Sequence, residues 1–271
     1  MRPCTVGNPC DDRAAMGSFA HDTAVTEVGS DRFECAIDSS WWVISGPNGG
    51  YLAAIVVRAL EARFDTGDRP LRSLTVHYLR APEPGPAEVE VRPEREGRNV
   101  TFARVRMSQD GRSFATALAV LARSAEGFEM DAAVAPEVAA PDSIEPLAPS
   151  DEAPPFAGHF EFRPALHPAE GEALTGGWLR LLEDRELDAA LVAALCDSWF
   201  PAIFAVAHRP MAVPTLELTV HVRRPLPRPG DWVLGRYVTR TASEGLLGED
   251  AELFDTGGNL LAQSRQLALA R

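Results

Sequence analysis

A chain of 271 residues has room for one large domain or two of ordinary size, and 45% hydrophobic content is ample for a packed core. A net charge of −13 works against any partner held through neutralised phosphates along a polymer, so nucleic acid is disfavoured. Cys4, Cys10, Cys35 and Cys196 lack a CxxC pair or zinc-finger His spacing, so neither a metal site nor a disulfide framework is indicated, and a reducing cytoplasm is the simplest expectation.

Residues 1–30 are polar, mixed in charge and without the apolar centre of a signal peptide, and no later run approaches membrane-spanning length, so no membrane partner is expected. Residues 1–22 show no periodicity and are expected to form a flexible arm. From Arg32 to Ile37, Phe33, Cys35 and Ile37 alternate with polar neighbours, as in a half-buried strand. The turn-rich loop from Trp41 to Gly50 empties into Tyr51 to Leu60, too continuously apolar for a surface helix. That run reads as a buried helix wrapped by a sheet, although β-branched Ile55, Val56 and Val57 leave a strand open. Strands follow at Ser73 to Arg80, Ala87 to Arg95, Asn99 to Ser108 and Ser113 to Ala122, with Asp110-Gly111 a strong hairpin signal. These elements define a unit over residues 23–123, and the Ala-, Pro- and acid-rich stretch at 124–155 reads as a linker.

Residues 156–271 repeat the plan. His159 to Arg163 and Leu174 to Leu182 read as strands, Glu186 to Leu195 as a helix, and Ser198 to Val206 as an extension broken at Pro201. Strands follow at Thr215 to Val222, Asp231 to Thr241, Gly245 to Phe254 and Leu260 to Ala270. Leu74-Thr75-Val76-His77 recurs as Leu218-Thr219-Val220-His221, each running into an Arg-Pro-containing turn, and Asp110-Gly111 matches Gly257-Gly258. The constant order and nearly constant offset favour a duplicated domain over chance similarity. Each half alone leaves a sheet edge exposed, so the two are expected to pair into one long sheet.

A buried helix behind Gly-Gly, wrapped by an antiparallel sheet and duplicated in one chain, resembles the double hot-dog acyl-CoA thioesterases of the thioesterase II type. The likeness runs from about Phe19 onward. It is carried by Gly49-Gly50-Tyr51-Leu52, Asp197 after the second helix, Thr215-Leu216-Glu217-Leu218 running to Arg224-Pro225, and Ala262-Gln263-Ser264-Arg265-Gln266. The resemblance implies an α+β double hot-dog fold, an acyl-CoA substrate, no cofactor, further assembly into a homo-oligomer, and a water-activating site of Asp197, Thr215 and Gln266. The chain departs from the family at Glu217-Leu218, where an Asp-His pair is common, and at His221-Val222-Arg223-Arg224-Pro225, where the family often has an aromatic before a His-Arg-Pro turn. The repeat offset places Leu71 opposite Thr215, and Leu118 or Ala119 opposite Gln266, which implies one active half and one structural half.

Thioester hydrolysis needs a positioned water, a base for its proton and donors for the developing oxyanion. The resemblance gives Asp197 the base role and lets Thr215 and Gln266 donate to that carboxylate or to the water. The amides of Gly49 and Gly50 are candidate oxyanion donors, because glycine lets a ligand approach the backbone closely. Trp41, Trp42, Trp199 and Phe200 are candidate walls of an acyl tunnel, with core packing as the plainer role. Two other readings stand beside hydrolysis. A hot-dog hydratase or dehydratase requires a His paired with an acid, and a non-catalytic acyl-thioester binding or scaffold protein requires only the fold.

Overall fold

The computed structural model describes residues 18–271 except 65, 149, 151 and 210. Helix α1 (Phe19–Asp22) starts the described chain, and strands β1 (Thr26–Gly29) and β2 (Arg32–Ile37) follow. Helix α2 (Gly49–Arg63) precedes β3 (Leu71–Tyr78), β4 (Gly85–Glu96), β5 (Val100–Gln109) and β6 (Arg112–Ala122). The second half supplies β7 (Phe160–Pro164), β8 (Leu174–Leu181), helix α3 (Ala189–Leu195), β9 (Thr215–Val222), β10 (Val233–Ser243), β11 (Leu246–Phe254) and β12 (Leu260–Leu269). Helix wins over strand at Ile55 to Val57 because nearly every residue from Gly50 to Leu60 is buried, a pattern that a helix wrapped on all sides produces.

Among the described residues all the strands belong to one twelve-stranded antiparallel sheet in the order β1-β2-β4-β5-β6-β3-β9-β12-β11-β10-β8-β7. The order inward from either edge is the same in both halves, and β3 meets β9 at the centre. Thr75 lies opposite Thr219 there, and their hydroxyls hydrogen-bond at 2.8 Å, 144 positions apart in sequence. Equivalent residues facing each other across a seam are what a duplication with local two-fold symmetry requires. Pairing at this seam removes one exposed edge from each half.

Two expectations need correction. The end of the N-terminal arm is not loose: Ser18 caps α1, Phe19 is buried edge-on to Trp41, and Asp22 accepts from Trp41 Nε1 at 3.0 Å. Residues 1–17 lie outside the described residues. The connecting stretch is more than a tether as well. Ala133, Ala135, Val138 and Ile144 pack on Trp178, Trp232, Leu234, Phe254 and Leu260. Those positions alternate with Leu179, Val233, Leu253 and Leu261 of the main core, so the stretch covers the outer face of the sheet.

Candidate active site

Asp197 follows Cys196, the C-cap of α3, yet its carboxylate is held by the other half. Gly50 N–H, in the first turn of α2, donates to Asp197 Oδ2 at 3.0 Å. Asn48 caps α2 by accepting from Tyr51 N–H, and its amide nitrogen donates to Asp197 O at 2.6 Å and to Oδ2 at 3.2 Å. The approach is close because α2 begins with two glycines. A Cβ on Gly49 would lie 2.9 Å from Asp197 Oδ2, and one on Gly50 would lie 2.5 Å from the Ala194 carbonyl oxygen. Asn48 was open to sequence reading, since Asn immediately before Gly-Gly at a helix start is a capping signature.

The glycine amides therefore differ from the oxyanion donors expected of them. Gly50 N–H already points at a carboxylate, and the Gly49 amide also stabilises it. An amide hydrogen committed to Oδ2 is not free for a carbonyl oxygen. The site is also not confined to the second half, because the helix end that stabilises the acid comes from the first.

Thr215 and Gln266 do meet. Thr215 Oγ1 donates to Gln266 Oε1 at 3.1 Å, and Gln266 Nε2 donates to Glu249 Oε1 at 3.0 Å. Glu249 Oε2 accepts from Ala202 N–H at 2.6 Å and from Thr239 Oγ1 at 3.3 Å. Glu249 and Gln266 are 4% and 7% exposed, so each needed partners. Strict alternation along β9 would turn Thr215 outward with Glu217, Thr219 and His221. A register shift between β9 and β12 falls there instead: Glu217 pairs with Leu267 but Thr215 with Ala268, which brings the hydroxyl to Gln266. Among the described residues no direct hydrogen bond joins Asp197 to Thr215 or Gln266. The two groups are linked electrostatically: Gln266 donates to Glu249, whose charge acts on Asp197.

The pairing register maps these residues onto the first half. Leu71 pairs with Leu121 across the same kind of shift and stands where Thr215 does. Leu74 opposite Ala119 matches Leu218 opposite Gln266, which settles the counterpart of Gln266 as Ala119. Ala103 opposite Ala119 matches Glu249 opposite Gln266, and Pro93 opposite Ala103 matches Thr239 opposite Glu249. Thr215, Gln266, Glu249 and Thr239 are thus replaced by Leu71, Ala119, Ala103 and Pro93.

The Asp197 carboxyl is raised from its ordinary 3.8 to about 7. Loss of hydration is the main cause and the Glu249 charge adds to it, while the Gly50 and Gly49 amides pull the other way. Burial likewise raises Glu249 against the pull of Ala202, Gln266 and Thr239. A carboxyl group that titrates near neutrality suits proton abstraction from water at neutral pH. Tyr78 and Tyr237 lie close to the acid, but their hydroxyls donate to Gly49 O and Leu195 O at 2.7 and 2.6 Å. Trp41 is a core residue stacked between Tyr51 and His159. Glu217 turns away from the site and accepts from Thr219 Oγ1 at 2.7 Å. No group of His, Cys, Asp and Glu among the described residues has a metal-binding arrangement.

Comparison with known proteins gives the family and the fold. The sequence model of the acyl-CoA thioesterase N-terminal domain matches residues 38–122, and that of the C-terminal domain matches residues 134–270. The chain belongs to the acyl-CoA thioesterase family. It has the double hot-dog fold that membership implies. A hot-dog protein of unknown function from Alicyclobacillus acidocaldarius superposes with a TM-score of 0.87 at 25% identity, covering 94% of this chain and 98% of its own. A Thermobifida fusca protein, itself only provisionally a thioesterase II, superposes with a TM-score of 0.83 at 26% identity, covering 93% and 98%. An uncharacterized Mycobacterium tuberculosis protein is 26% identical over 267 residues, 88% of this chain and 90% of the relative. Among the described residues no helix is long and apolar enough to cross a membrane.

Proposed function

We propose that this thioesterase-family chain hydrolyses a fatty or related acyl-CoA to free acid and CoA by direct attack of water. Asp197 takes the proton of the attacking water, and Thr215 and Gln266 hold that water on the line of attack. One observation supports the reading: the α2 amides hold the Asp197 carboxylate, and Glu249, whose charge acts on it, is bound by a Gln-Thr pair that the other half lacks. The glycines serve the acid rather than the oxyanion. Their amides keep the carboxylate oriented, and the helix N-terminus offsets part of the cost of its burial. No covalent nucleophile is needed, since a thioester carbonyl is electrophilic enough for a positioned water.

Thiol release from a panel of acyl-CoAs, followed with a thiol reagent, tests the reading. The wild-type chain should release thiol, and Asp197→Ala or Gln266→Ala should slow turnover by about 10²-fold or more. Hydration of an unsaturated acyl-CoA without thiol release would establish a hydratase instead. Acyl-CoA binding with no turnover would establish a scaffold.

A further inference from the structure

We propose that Glu249 is a positioning residue that fixes the donor and acceptor polarity of the Gln266–Thr215 pair, so that Thr215 presents an oxygen lone pair, not a proton, to the attacking water. The inference rests on the hydrolase reading above and adds a residue to it.

An ionised carboxylate has only acceptors, so the group that Gln266 turns toward Glu249 must be its NH₂. The 3.0 Å contact from Gln266 Nε2 to Glu249 Oε1 meets that requirement. With Nε2 committed, Oε1 of Gln266 faces Thr215, and the Thr215 proton is drawn to it at 3.1 Å. A threonine whose single proton is used in this way meets any further partner as an acceptor. A water beside it donates one hydrogen to Thr215 and the other to Asp197, which turns its own lone pair toward the carbonyl. The remaining Nε2 hydrogen of Gln266 is free to donate to the water oxygen.

Glu249 is itself anchored by one group that cannot reverse. Ala202 N–H is a backbone donor at 2.6 Å from Oε2, and Thr239 Oγ1 adds a second contact. The nearby ionisable groups are Asp197 and Cys196 after α3, Tyr237 on β10 and Asp250 beside Glu249 on β11. The duplication supplies an independent argument. A buried glutamate that served only folding would have no reason to follow the site, yet where the first half has Leu71 and Ala119 it also has Ala103.

Glu249→Gln is the nearly isosteric test. Ala202 N–H holds the new amide oxygen, so the new NH₂ faces Gln266 and forces that amide to turn over. Thr215 then becomes an acceptor from Gln266, and its proton is released toward the water. The expected result is a fall in kcat of roughly ten-fold or more with KM changed less than about two-fold. Asp250→Asn removes an adjacent charge without touching the network and should leave kcat within about two-fold. A kcat for E249Q within about two-fold of wild type overturns the proposal. NMR of the Gln266 side-chain amide separates this outcome from failure of the hydrolase reading. If the wild type releases no thiol, the hydrolase reading falls, and amide resonances that move between wild type and E249Q still establish the polarity relay. Should E249Q not fold, titration of the wild type decides: Gln266 amide shifts that ignore the ionisation of Glu249 overturn the proposal.

Discussion

Asp197 holds its proton more tightly in the folded chain than in the unfolded one, whose carboxyl titrates near the ordinary 3.8. The stability this proton contributes is complete below about pH 4, declines as the pH rises, and is gone above about 7. Asp197→Asn is neutral at every pH, and its amide oxygen can still face Gly50 N–H. It should raise Tm at pH 8 by a few degrees, about 2–4 °C for each kcal/mol, leave it unchanged below pH 4, and slow turnover by about 10²-fold. A variant no more stable than wild type at pH 8 would show that the charged form carries no burial cost. In the wild type, kcat/KM should climb with pH through about 7 as the base ionises, and a flat profile from pH 5 to 9 would remove Asp197 from that role. The three polar residues were legible in the sequence through the family resemblance, whereas Glu249 was not. In Gly248-Glu249-Asp250 it looks like one of several surface acids. A signal was present, though: Leu247, Ala251 and Leu253 share its parity, so strand alternation alone places this glutamate on the core face.

At the scale of elements, the site depends on how closely α2 meets the end of α3. Gly50→Ala would put a methyl group 2.5 Å from Ala194 O and 3.0 Å from Ala194 Cα, both backbone atoms that cannot swing aside. Separation of the helices should cost about 1–3 kcal/mol and loosen the grip of Gly50 N–H on Asp197. A lower urea midpoint with an unchanged slope, accompanied by lost activity, is the expected outcome. A midpoint equal to wild type would mean the helices are free to part at no cost. The strands were largely readable because their alternation is regular, and Thr215 to Val222 matches the observed β9 end to end. What alternation could not give is the shift that brings Thr215 inward, since a bulge breaks the period-2 rule on which the reading rests. Strand β1 escaped for a related reason: all of Thr26–Gly29 is exposed, so it carries no apolar period.

At the scale of the whole molecule, the proposed site draws on both halves. The acid comes from the end of α3, the amides that hold it come from the start of α2, and the sheet beneath them is continuous through β3 and β9. Trp41 of the first half stacks between Tyr51 of its own half and His159 of the other, at centroid distances of 5.0 and 3.8 Å. A half that unfolded alone would expose the central sheet edge and strip Asp197 of the donors that hold it. Urea unfolding should therefore be a single transition in which far-UV circular dichroism, tryptophan fluorescence and activity are lost together. If activity disappears at a lower urea concentration than the dichroism, the α2–α3 contact opens before the sheet does, and the site belongs to a locally unstable region. Two separate dichroism steps would instead make the halves independent. The Thr75–Thr219 pairing, the inter-helix contact and the Trp41 stack all cross between the halves, and on those grounds coincidence of the three signals is the expected result.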